Sequence, residues 1–231
     1  MSKKANAKTE TRVEGVENAL TRAEQFIETY QKQVVRGVGV ILGIVLVYMS
    51  FQRFYIEQRS QNAAADMFHA EQYFEKEDWE KALDGDGSNL GFIGIISDYK
   101  FTPSANLAKY YAGICCLHLG EYEDAISYLS RFKSKDKILS SIALGGIGDA
   151  YAQLGETSKA ITFYKKAADR KSNDFTTPLY LLRAGILLEN EDRLKEAGEL
   201  YERIKTDYAA STEGRTIDKY IARIKTKQKG N

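Results

Sequence analysis

The residues best spaced to do chemistry lie in DGDGSNLGFIGI, which begins at Asp84. Asp84, Asp86 and Ser88 occupy odd ligand positions of a calcium loop. The sixth position, however, is Asn89 where the sharp turn wants Gly, and the twelfth is Ile95 where the ion wants a bidentate Glu. The stretch reads instead as a turn-rich linker, with apolar residues 90–96 packing on the elements around it. His69 and His118 have no partnered nucleophile motif and are expected to be core or surface histidines. Adjacent Cys115 and Cys116 could form only a strained bridge and point in different directions on a helix, so buried free thiols are expected. Two Cys and two His cannot build a four-ligand zinc site. No Gly-rich phosphate loop follows a strand, because no strand is legible. The expectation is a protein that is not an enzyme and that uses no metal or cofactor.

The elements that would carry these residues are helical. The 231 residues hold 33 Lys and Arg against 32 Asp and Glu, a balance that argues against nucleic-acid binding. Only two prolines interrupt the chain. Three stretches align with one another: SANLAKYYAGICCLHLGEYEDAISYLSRF from Ser104, SIALGGIGDAYAQLGETSKAITFYKKAA from Ser141, and PLYLLRAGILLENEDRLKEAGELYERI from Pro178. Each has a glycine in its first helix (Gly113, Gly148, Gly185) and, twelve residues on, an alanine in its second (Ala125, Ala160, Ala197). Four positions after each alanine comes a large residue: Leu129, Tyr164 or Tyr201. Small residues let antiparallel helices approach closely and large ones fill the gap to the next pair, which is the logic of a helix-turn-helix solenoid. A degenerate unit precedes them, with Ala70, Tyr73, Trp79 and Ala82. Gly120 and Gly155 suit left-handed helix ends, and Thr102-Pro103 and Thr177-Pro178 place Pro at a first helical position behind a capping Thr. Ile217, Tyr220, Ile221 and Ile224 share one face of a terminal capping helix.

This pattern resembles the tetratricopeptide repeat, most closely at Leu144, Ile147, Gly148, Tyr151, Gly155, Ala160, Tyr164 and Ala167, although every unit lacks the proline that ends that repeat. The resemblance implies an all-α, right-handed solenoid with repeats at 63–83, 104–137, 141–172 and 178–207 and a cap at 212–227. It also implies a concave groove lined by the first helix of each unit. Those offsets fall on Leu107, Tyr110, Ile114 and Leu117, then Ile142, Gly145, Asp149 and Ala152, then Leu179, Leu182, Ile186 and Glu189. The carboxylate-clamping Lys, Asn and Arg of some such repeats are absent at these positions. An apolar groove suits an amphipathic helix or an unfolded segment, unless one of the protein's own flanking helices fills it.

Upstream, residues 37–52 read GVGVILGIVLVYMSFQ, sixteen without a charge, between Arg36 and Arg53. With snorkelling arginines and the interfacial aromatics Tyr48, Phe51, Phe54 and Tyr55, residues 34–55 are expected to form one transmembrane anchor. Residues 56–231 then form the solenoid and residues 1–33 a tail. Seven Lys and Arg in residues 1–36, against Arg53 and Arg59 in residues 53–70, put the tail in the cytoplasm and the repeats outside. In the tail, Val13, Val16, Leu20, Ala23, Ile27, Tyr30 and Val34 make a narrow apolar seam for a partner helix, a short coiled coil or the membrane surface.

The whole layout, with NLGFIGIISDY, GGIGDAYAQLG, FTTPLYLLRAG and EGRTIDKYIARIK, is similar to membrane-anchored repeat proteins of Gram-negative bacteria that act as ancillary subunits of the Sec translocon, the Bacteroidota branch in particular. That resemblance implies a single-pass inner-membrane protein with periplasmic repeats. Its partners would be translocon subunits, exported chains or periplasmic chaperones, with lipid around the anchor and no nucleic acid. A structural scaffold for another envelope complex, holding one fixed partner, is the competing reading.

Overall fold

A computed structural model describes residues 30, 32–33 and 35–230. The apolar seam of the tail lies outside the described residues except at Tyr30. The chain divides into two compact units, with the boundary between Glu57 and Gln58.

In the first unit, residues 35–50 form a continuous helix, α1, which runs into the π-helical stretch Phe51–Ile56. Its valines, leucines and isoleucines are exposed all round, as at Leu46 (64%) and Val47 (70%). Sixteen residues at about 1.5 Å each span about 24 Å, short of the roughly 30 Å of a bilayer core. No helix among the described residues is long and apolar enough to cross a membrane.

The second unit is a run of helices: α2 (Glu57–Glu75), α3 (Trp79–Asp84), α4 (Phe92–Asp98), α5 (Pro103–Leu119), α6 (Tyr122–Arg131), α7 (Lys137–Gln153), α8 (Thr157–Asp169), α9 (Thr176–Asn190), α10 (Leu194–Asp207) and α11 (Asp218–Gly230). From α5 onward each helix packs on the next, and α5 and α9 both also touch α7. The repeat spacing is visible in the packing. A methyl group on Gly113 would sit 2.5 Å from Leu129, one on Gly148 would sit 2.6 Å from Tyr164, and one on Gly185 would sit closer still to Tyr201. Each glycine therefore receives the large residue sixteen positions on, and the alanines between them (Ala125, Ala160, Ala197), like Ala82 of the preceding unit, are fully buried.

The hairpin turns repeat as well. The amides of Asp78, Glu121, Glu156 and Arg193 donate to the carbonyls of Tyr73, Cys116, Tyr151 and Leu188, five residues back in every case. This bond requires a left-handed residue just before the donor. Gly120 (φ 82°) and Gly155 (φ 73°) supply it as their sequence suggests, but Glu77 (φ 59°) and Asp192 (φ 56°) do so in the outer units without the glycine that marks the position.

Two expectations need correction. The linker after α3 does pack its apolar residues as expected, with Phe92 and Ile95 fully buried, but it forms α4 on the way. Pro103 opens α5 behind Thr102, whose hydroxyl accepts from the Ala105 amide at 3.1 Å. Pro178, by contrast, is the third residue of α9. Asn173 does the capping there, accepting from the amides of Phe175 (3.0 Å) and Thr176 (2.8 Å), while the Thr177 hydroxyl donates to the Ala168 carbonyl at 3.0 Å.

Candidate protein-binding groove

The inner helices α5, α7 and α9 carry all twelve groove positions, ten of them half-buried and two, Gly145 and Glu189, buried. Leu107, Tyr110, Ile114 and Leu117 rise along α5 at helical spacing. Tyr110, Ile114 and Leu117 rest on the buried Leu129, Ala143 and Ile147, whereas Leu107 leans on the cluster that holds Phe92 and Ala112. On α9, Leu179 and Leu182 pack against a separate core around Tyr180, Leu181 and Tyr201, and Ile186 is half-buried one turn on.

Between these two apolar patches lies a polar node. Asp149 on α7 accepts a hydrogen bond from the Tyr164 hydroxyl at 2.7 Å and forms an ion pair with Arg183 on α9. The Arg183 guanidinium also lies over the Tyr180 ring, 5.7 Å from its centre. Tyr180 lies against Gly145, in space that any side chain at 145 would occupy. Burial, and then the negative charge of Asp149, push both tyrosine hydroxyls well above their ordinary range, so they remain neutral donors. Neither Arg183 nor Tyr180 falls at a groove offset of the repeat pattern. The available signal was spacing: Arg183 stands 34 residues after Asp149.

Glu189, the last groove offset on α9, is not free to meet a partner. It is 3% exposed and accepts from Arg223 through both carboxylate oxygens (2.6 and 2.7 Å), from Lys227 (3.1 Å) and from the Tyr201 hydroxyl (3.3 Å). Burial works against this carboxylate, but the bonds from Arg223 and Lys227 outweigh it and hold its pKa below the ordinary glutamate value. Ile217, Ile221 and Ile224 of the α11 segment are buried against the α9–α10 core. Arg223 too stands 34 residues after its acid, so α11 takes the place of the next unit's inner helix.

The remaining candidate groups do structural work. Burial pushes both the Cys115 and Cys116 thiols up to about 12, which leaves them protonated and unreactive at neutral pH. His118 stacks on Trp79 at 4.1 Å. Asp86 accepts from the amides of Ser88 and Asn89, the Asn89 side chain and the Tyr73 hydroxyl, a turn closed by its own residues. Among the described residues, no three His, Cys, Asp or Glu side chains converge to hold a metal ion.

Family models described as tetratricopeptide repeat match residues 95–137 and residues 143–178. These matches support tetratricopeptide repeats in the two stretches, and such repeats suggest a protein–protein interaction adaptor. No curated protein matches the sequence.

Proposed function

We propose that this protein is a membrane-tethered adaptor that binds exported or unfolded segments, or the chaperones that carry them, at the exit of the Sec translocon. The observation that carries the reading is the row of half-buried apolar side chains at Leu107, Tyr110, Ile114 and Leu117 on the inner helix of a repeat unit. Such a surface is apolar enough to take up a partner's hydrophobic face and too interrupted to bury itself. The tether is supported by α1, whose all-round apolar exposure suits lipid better than water. In the proposal, residues 51–56 beyond α1 supply the length that the described helix lacks, and the basic tail holds the N-terminus in the cytoplasm.

Photocrosslinkers at Tyr110, Ile114 and Leu182 test it in cells. The adaptor traps many newly exported chains together with translocon subunits. Capture of a single stoichiometric partner without the translocon overturns it in favour of a scaffold for another envelope complex. Topology is tested separately by changing Lys32 and Arg36 to Glu, which should disturb the orientation. Protease protection of the wild-type repeats in spheroplasts would refute a periplasmic domain.

A further inference from the structure

A cavity of about 470 Å³ opens where α6, α7 and α8 meet, and none of the twelve groove positions lines it. It lies on the edge where each outer helix hands over to the next inner one. Its floor is apolar, made by Leu129 and Phe132 at the end of α6 and by Ala143, Leu144 and Ile147 of α7. Its rim carries Lys133, Lys135 and Arg170, with Ser130 and Ser134 between them.

The rim is held in place from both neighbouring units. Asn106 of α5 donates to the Lys133 carbonyl at 2.8 Å and accepts from the Lys133 amide at 3.1 Å, and the Lys171 ammonium donates to the Lys135 carbonyl. A rim fixed before binding has little ordering left to lose.

The three rim cations carry no ion pair among the described residues. Residues 131–137 and 165–171, RFKSKDK and KKAADRK, hold eight basic residues against two acidic ones, in a chain whose net charge is only +1. Both acids are engaged: Asp136 caps α7 by accepting from the amides of Ile138 and Leu139, and Asp169 pairs with Arg203. Lys133, Lys135 and Arg170 are exposed.

We propose that this cavity is a second docking site, taking one bulky apolar side chain from an acidic segment of a partner protein. The apolar floor supplies the anchor and the unpaired cations select the flanking carboxylates. A flat anionic membrane would meet the lysines but would leave the pocket beneath them empty.

The full chain, held in nanodiscs of neutral lipid, is titrated into a fluorescein-labelled peptide with Leu-Phe flanked on each side by three acidic residues, and anisotropy is read. Binding is saturable and weakens at least tenfold when Lys133, Lys135 and Arg170 are all changed to Glu. Ser130→Trp, from an exposed rim position, closes the mouth with a similar loss, and so does replacing the peptide's Leu-Phe with Ala-Ala. Leu182→Glu in the groove leaves the affinity unchanged, which separates this site from the groove. Circular dichroism shows the variants folded. Equal binding by the Ala-Ala peptide or by the Ser130→Trp protein overturns the proposal. So does capture of phosphatidylglycerol vesicles through these cations with no affinity for the peptide.

Discussion

Asp149 and Glu189 are built alike and finished differently. Each stands on an inner helix, accepts a hydroxyl from a tyrosine of its own outer helix, and pairs with an arginine 34 residues later. Asp149 keeps a side chain 36% exposed, while Glu189 is 3% exposed beneath Arg223 and Lys227. The same device is left open where the groove runs and closed where the solenoid ends. What differs is the element that brings the arginine: α9 continues the array, whereas α11 ends it and adds a second cation.

That difference predicts unequal energies. Removing both cations over Glu189, as Arg223→Ala with Lys227→Ala, strands a buried carboxylate and should cost about 3 kcal/mol in denaturant unfolding. Acid should reach the same node. Because the folded pKa of Glu189 is depressed, its stabilisation is full above the ordinary glutamate value and is lost as pH falls through the lowered one. Hydrogen exchange should therefore show the α9–α11 end loosening as pH falls through that lowered pKa, ahead of the units before it. Equal protection throughout would break the contrast. Next in size is Gly185→Ala, whose methyl group would collide with the Tyr201 ring and cost about 2 kcal/mol. Asp149→Asn should cost less than about 1 kcal/mol, because its ion pair is half in solvent. Its effect should be read in partner crosslinking from Leu182 rather than in Tm. Smallest is Asp192→Gly, which should gain about 0.5 kcal/mol by relieving a left-handed side chain, detectable as a small rise in Tm.

The inner architecture was legible because its signals are steric and evenly spaced. Gly113, Gly148 and Gly185 must be small for the residues sixteen positions on, and size is written directly in the residue type. The turns at Glu77 and Asp192 were hidden because geometry alone asks for a left-handed residue there, and the side chains tolerate it at a modest cost. Helix α4 escaped notice because seven residues are too few to show a helical period. In the groove the apolar positions on α5 could be placed by offset, but Tyr180, Arg183 and the engagement of Glu189 could not. They depend on which side chain crosses to a neighbouring helix, and that is fixed by packing between units.

The 34-residue intervals also set a timetable. A chain that emerges N-terminus first presents Asp149 long before Arg183, and Glu189 long before Arg223. Each of these two carboxylates waits for the helix that follows its own unit, so neither unit finishes its ion pair on its own. Glu189 is satisfied only once α11 has been delivered, so its ion pairs report that this helix has docked.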